Sequence, residues 1–444
     1  MSDFIERSKF SCALGGALST IAAIHKAVPI VHASGGCAAA LSGTYNLSAG
    51  YRGVGYCGGN MIPTSNISQS NIVFGGEDKL VGQIESTLKY IKGDIYFVVT
   101  GCQTEMIGDD SVGIAARYRD RNVIGVNTPG FLGNTLRGYD AILSALVKEV
   151  IEKKDEKEPR TVNLLGIVPG HDVFYRGNIT HLKTLLEKIG VKANTFFGDG
   201  ETIEDIKGYA SAALTVVFSE TAGQITAKAF ENTHGIPYVT TELPIGPKAS
   251  EKFLKLIAEK LGIEAETVDS VVESETRYFY SYLERIVDVA ADLDFQRYVV
   301  AFLDSYYAYP VIDFVSEELG WIPHFVAIHD LQDKSKREAY TKKFDELSSV
   351  TKPQIIYEDK FGLARKALRA SWPYNNNQKY YDILGPLYII GSVVERDLSV
   401  DYGAGFLTVS FPVSNRAVLN KGYAGFRGGL TLVEDLLTNL VASR

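Results

Sequence analysis

Sulfur is scarce in this chain of 444 residues, which has four cysteines and three methionines. Four unevenly spaced cysteines cannot make a disulfide framework, and this usage fits a reducing compartment. No C-x-x-C pair is present, so the common zinc modules are not indicated. No apolar run reaches the ~18 residues that a membrane span needs. The N-terminal MSDFIERSKF is polar and carries acids, unlike a secretory leader. Positive charge is also short: 45 Lys and Arg stand against 53 Asp and Glu, a net charge of −8. Nucleic acid and anionic membrane surfaces recruit basic patches, so neither is an expected partner. No Walker A motif and no G-x-G-x-x-G in a strand-to-helix context occurs. The seven histidines form no H-E-x-x-H pair and read as structural or surface residues. The expectation is a cytoplasmic, soluble protein.

What is present is an ordinary globular composition, 45% hydrophobic and 22% charged, over a length that suits about three domains. Short β-branched runs alternate with helical stretches throughout, the pattern of βαβ units and parallel sheets. Strand-like runs fall at Ala27–His32, Ile72–Phe74, Ile95–Val99, Asn122–Gly125, Thr161–Val168, Ala213–Phe218, Pro237–Thr240, Tyr298–Leu303, Phe325–Ile328, Gln354–Tyr357 and Leu387–Ile390. The charged EKKDEKEPR at Glu152–Arg160 marks a boundary, and an acid-rich helical connector covers Lys255–Val287. The predicted fold is α/β, with three consecutive Rossmann-like domains and mainly parallel sheets over 1–157, 158–270 and 271–444.

Cys12, Cys37 and Cys102 each sit in a glycine-containing segment where a strand-like run gives way to a helix-like one: Cys12-Ala-Leu-Gly-Gly, Ala33-Ser-Gly-Gly-Cys37 and Thr100-Gly-Cys102. A thiol near helix N-terminal N–H groups binds metal more readily as thiolate than one buried in apolar surroundings. In open α/β sheets, ligands also collect beyond the carboxyl ends of the strands. The alternative is that these are small core residues. Gly36 and Gly101, beside Cys37 and Cys102, would let backbone approach a bulky group, or would simply serve tight turns. Asp109 and Asp110 read as a helix start and its caps.

Taken together, VHASGGC at Val31–Cys37, IVFGGEDKL at Ile72–Leu80 and TGCQTEMIGDD at Thr100–Asp110 resemble the component 1 proteins of the nitrogenase superfamily. TPGFLGN (Thr128–Asn134), HGIPY (His234–Tyr238), PIGPK (Pro244–Lys248), FPVSNR and KGYAGFRGG (within Phe411–Gly429) extend the resemblance over essentially the whole chain. It implies that Cys12, Cys37 and Cys102 are the three cysteines with which each subunit of a component 1 pair holds an interface iron–sulfur cluster, a P-cluster ([8Fe–7S]) or a [4Fe–4S] cluster. Soft thiolates suit such a cluster. Three ligands from one chain leave a site that a partner chain or a larger bridged cluster must complete. Zinc is the alternative, set against ligands 25 and 65 residues apart.

The chain also departs from the family pattern. Where an α-type subunit anchors its active-site cofactor by a cysteine, the run VVFSE places Ser219, and Phe411–Arg416 offers no histidine. The TPSF serine of molybdenum β subunits is replaced by Gly130 in Thr128-Pro-Gly-Phe131, which removes an oxidation-dependent ligand. Cys57, in Gly55-Tyr-Cys-Gly-Gly59, matches no family ligand and is either an additional ligand or a bystander. The resemblance therefore implies a β-type oxidoreductase subunit. It would pair with an α-type subunit, in an α2β2 heterotetramer, and relay electrons from an ATP-hydrolysing iron protein to a site reducing dinitrogen, a thioether or a tetrapyrrole. A scaffold for cofactor assembly, or a tetrapyrrole-type reductase subunit, would keep the same cysteines.

Overall fold

The computed structural model describes residues 8–51, 53, 62–198, 200–290, 292–331, 333–349, 351–372 and 384–442. Among these, three sheets form, and every strand pair within them is parallel. The first contains β1 (Ala27–His32), β2 (Ile95–Thr100) and β3 (Val123–Val126), in that order. The second contains β4 (Glu158–Leu165), β5 (Lys192–Asn194), β6 (Ala212–Val217) and β7 (Tyr238–Thr240), ordered β5-β4-β6-β7. The third contains β8 (Tyr298–Leu303), β9 (Ile322–Ile328), β10 (Gln354–Tyr357), β11 (Leu387–Gly391) and β12 (Gly405–Thr408), ordered β10-β9-β8-β11-β12. The α/β, Rossmann-like class expected from the alternating pattern is what the chain adopts.

The strand sequences explain the burial. All six residues of β2 (IYFVVT) are buried, as expected of a parallel strand covered by helices on both faces. Register in the first sheet sets Val31 opposite Val99 and His32 opposite Thr100, so the ends of β1 and β2 deliver their following loops to the same edge. In the second and third sheets the strand order reverses beside β4 and β8, and α/β folds open their ligand crevices at such points. These two crevices face one another.

Four expectations change. Ile72–Phe74 is not a strand but the end of a helix, Gln69–Phe74, started by a reciprocal Ser68–Asn71 capping box. Its apolar residues face outward, with Phe74 87% exposed. The charged segment ending at Arg160 already contains the start of β4. Among the described residues no strand precedes Cys12, which is the N-cap of the helix Ala13–Ala23, tied by a single bridge to Asn134. β5 and β12, at three and four residues, are too short to carry a periodic signal. Among the described residues, no helix is long and apolar enough to cross a membrane.

Candidate functional site

Cys12 and Cys102 meet at Gly130. The helix carrying Cys12 packs against the helix Thr135–Glu149, and two glycines set how closely they cross. A β-carbon on Gly16 would lie 2.0 Å from the carbonyl oxygen of Thr135, and one on Gly138 would lie 2.0 Å from that of Ala13. Only glycine allows backbones this near. Cys102 is the first residue of the helix Cys102–Ile107, directly beyond β2, with Gly101 as its N-cap. Gly130 follows β3, and its N–H donates to the Cys102 sulfur at 3.1 Å. A β-carbon on Gly130 would stand 3.0 Å from Sγ of Cys102, 3.3 Å from Cβ of Cys12 and 3.8 Å from Sγ of Cys12.

Cys37 lies in the first turn of the helix Gly35–Ser48, beyond β1, with its sulfur 3.5 Å from Oγ of Ser34. All three cysteines are free and half-buried. Among the described residues, no three His, Cys, Asp or Glu side chains gather closely enough to hold a single metal ion. A closed mononuclear zinc site, with its ligands about 2.0–2.3 Å from the metal, is therefore not what these residues build. Two sulfurs at one glycine, whose own N–H donates to one of them, with a third thiol on the adjacent helix, suit a wider, thiolate-held cluster.

The flanking glycines divide. Among the described residues, a β-carbon on Gly36 would meet no atom within 4 Å beyond its chain neighbours and its own helix backbone, so the space beside Cys37 is free of other described elements. On Gly101 it would stand 2.5 Å from Cβ of Ala33, so packing of β1 against the Cys102 turn already requires that glycine. Cys57 lies outside the described residues.

Asp110 caps the helix Ser111–Ala116 through its side chain, which accepts from Gly113 N–H at 2.9 Å. Asp109 does something the sequence did not suggest. Its carboxylate accepts from Gly76 N–H at 3.1 Å and lies 2.9 Å from Nε2 of His32. The FGGE and GDD motifs thus meet in space, with Asp110 N–H donating to Glu77 at 3.0 Å. Glu105 accepts from the Thr100 hydroxyl at 2.5 Å.

Two cavities lie behind the cysteine rim. One, of about 270 Å³, runs from Cys12, Gly130 and Asn134 to Lys9, His329 and Asp330. The other lies between the facing crevices of the second and third sheets, and is walled by His171, Asp172, Ser219, Asp304, Tyr306 and Asp330. It encloses about 10 Å³, about the room one water requires. Ser219 is spent locally, with its hydroxyl accepting from Thr221 N–H and Ala222 N–H. Asp172 is filled by donors from Tyr306, Tyr307, Asn178 and Phe174. Burial pushes its carboxyl above the usual range, against the pull of those hydrogen bonds. Nothing in the sequence marked this network, because its members follow four different strands.

The rim itself is apolar. Met106, four residues beyond Cys102, is 79% exposed, and Phe131, next to Gly130, is 68% exposed. The helix ending in the exposed Val73 and Phe74 packs on the Cys102 helix, so these side chains surround the cysteine edge. Clusters of this kind mark interaction surfaces.

Comparison with known proteins agrees with this architecture. A solved structure of nitrogenase Cp1 at pH 6.5 superposes with a TM-score of 0.79 at 20% identity, covering 100% of this chain and 94% of that one. The nitrogenase molybdenum-iron protein beta chain of Methanococcus maripaludis is 25% identical over 98% of this chain and 94% of its own length. The nitrogenase iron-molybdenum cofactor biosynthesis protein NifE of the same organism is 27% identical over 60% of this chain and 55% of its own length. The family model for nitrogenase component 1 type oxidoreductases matches residues 12–441, and the chain is a member of that family.

Proposed function

We propose that this chain is the β-type half of a component 1 reductase, in which Cys12, Cys37 and Cys102 hold one side of an interface iron–sulfur cluster. An α-type partner completes the site, and electrons arrive from an ATP-hydrolysing iron protein. The observation carrying this reading is the convergence of the Cys12 and Cys102 sulfurs on Gly130, whose N–H donates to one of them, at a rim of exposed apolar side chains. A cluster bound there supplies one-electron transfer; whether it is [8Fe–7S] or [4Fe–4S] depends on the ligands that the partner brings. The chain's own contributions are mechanical and electrostatic. Gly130 N–H stabilises negative charge on the Cys102 sulfur, as hydrogen bonds to cluster sulfurs do. Gly130 also leaves the space between the sulfurs free of side chain, where a serine would have offered an oxygen. The apolar rim excludes water once a partner covers it.

The β-type assignment draws support from the beta-chain relatives and from the interdomain crevice. The residues lining that crevice include Ser219 and no cysteine, which supports a chain that leaves cofactor anchoring to its partner. The likeness to NifE favours a second reading, a cofactor-assembly scaffold with the same cysteines.

The test is anaerobic co-purification with the α-type chain, followed by iron and sulfide counting and EPR of wild type and Cys37→Ala. The expected result is loss of cluster iron in the variant with an unchanged circular dichroism spectrum. Full iron content in Cys37→Ala would remove Cys37 from the ligand set. Fewer than about three irons per wild-type α–β pair, too few for one shared [4Fe–4S] cluster, would end the cluster reading. Turnover with the iron protein separates a reductase from a scaffold.

A further inference from the structure

We propose that His32 is the positioning residue of the cysteine edge, joining the turn that carries Cys37 to the turn that carries Cys102. The proposal rests on the reading of these cysteines as cluster ligands, but its geometry does not. His32 is the last residue of β1 and is fully buried. Its carbonyl oxygen accepts from Gly101 N–H at 3.0 Å and from the Thr104 hydroxyl at 2.8 Å, so one acceptor is bound from both sides of Cys102. Five residues further along its own strand exit lies Cys37.

The imidazole extends the same junction. Nε2 lies 2.9 Å from Oδ2 of Asp109, and Nδ1 lies 2.9 Å from Oγ of Ser65. Asp109 also accepts from Gly76 N–H, the N-cap of the helix Glu77–Tyr90. A carboxylate only accepts, so Nε2 carries the proton and Nδ1 accepts from the Ser65 hydroxyl. Each polar atom of the cluster is then paired. There is no slack around it: a β-carbon on Gly76 would fall 2.7 Å from Oδ2 of Asp109, 2.7 Å from Ile67 and 3.2 Å from Cε1 of the imidazole. Burial, opposed by the carboxylate, lowers the ring's pKa and keeps it neutral, the form whose two nitrogens play opposite roles.

A serine, a histidine and an aspartate in a line invite a hydrolytic reading, which the geometry excludes. Ser65 is 3% exposed, and the ring nitrogens are used in the reverse order to a catalytic triad. The line instead fixes one ring orientation, and through the same residue's carbonyl it fixes the Cys102 turn. An apolar residue of similar bulk would fill the space but leave the Asp109 carboxylate without its imidazole donor and the Ser65 hydroxyl without its acceptor.

The test uses the full-length, metal-free chain. Alkylation rates of individual cysteines by iodoacetamide are measured by mass spectrometry in wild type, His32→Leu and His32→Gln, with melting curves alongside. In His32→Leu, Cys37 and Cys102 are expected to react at least about threefold faster, with Cys12 unchanged as an internal control, because its helix is held by Gly16 and Gly138. His32→Gln, whose amide can still donate to Asp109, should return Cys102 to within about twofold of wild type. Unchanged rates at Cys37 and Cys102, or an equal rise at all three cysteines, overturn the proposal. Should His32→Leu fail to fold, Thr104→Val takes its place: it removes only the hydroxyl bond to the His32 carbonyl, and no change at Cys102 counts against the idea. Iron loading is then measured separately. Wild type that takes up no iron refutes the cluster reading and leaves the alkylation pattern to decide the role of His32.

Discussion

Asp330→Asn isolates one buried carboxyl at the seam between the two cavities. Oδ1 of Asp330 accepts from Ser305 N–H at 2.7 Å, and Oδ2 accepts from the hydroxyls of Ser305 at 2.6 Å and Thr221 at 3.0 Å. Those bonds favour the carboxylate, yet burial, and after it the charge of Asp304, push its pKa up to about 6. The unfolded chain releases this proton near pH 4. Between about pH 4 and 6 the native chain therefore binds a proton that the unfolded chain does not, and native stability falls as pH rises through that window. Two units correspond to about 3 kcal/mol, and the partial solvent exposure of Asp330 reduces this to about 2 kcal/mol. The amide is neutral at every pH. It also loses part of its bonding to Ser305 and Thr221, but that cost does not vary with pH. The expected signature is thus a slope: the stability of Asp330→Asn relative to wild type improves by about 2 kcal/mol from pH 4 to pH 7 and is level above.

Urea unfolding followed by tryptophan fluorescence reads it, because both tryptophans, Trp321 and Trp372, lie in the same part of the chain as Asp330. Trp321 is 1% exposed, packed on Phe295 and Tyr388, so its emission reports loss of that core. A difference that stays constant with pH, or a variant that loses stability relative to wild type as pH rises, would refute the raised carboxyl.

Two further substitutions probe the rim. Gly130→Ala places a β-carbon 3.0 Å from the Cys102 sulfur, and overpacking of this kind costs about 1–3 kcal/mol. It should lower both the melting point and the iron content of the anaerobically loaded chain, and unchanged iron would show that the space between the sulfurs is not used. Gly138→Ala drives a methyl group against the backbone of Ala13 and Ala17, which cannot move aside as a side chain can. A loss of about 3 kcal/mol or more is expected, read by thermal denaturation, together with faster alkylation of Cys12 at the neighbouring helix start. A variant melting within about 1 °C of wild type would contradict the close crossing of those helices.

Much of this organisation was legible in the residues. The runs AVPIVH, IYFVVT and YVVAFL are apolar and β-branched over a strand's length; the last two form central strands and the first a largely buried edge strand. Ile72-Val73-Phe74 has the same composition, but local capping at Ser68 makes it helical and leaves it on the surface, which propensity alone could not foresee. Asp109 and Asp110 look alike in sequence. One caps its own helix, and the other reaches across 77 residues to His32.

By itself, the sequence determined the α/β class, because hydrophobic period and turn chemistry act locally and survive without knowledge of neighbours. It also singled out three cysteines in glycine-containing turns and the motifs that accompany them. Only the tertiary structure decided that Cys12 and Cys102 face a common glycine, that Gly101 answers to Ala33, and that Ser219 shares one crevice with His171, Asp304 and Asp330. Those facts depend on distances between residues tens to hundreds of positions apart, which are set by how sheets and helices pack and not by any segment's own preference.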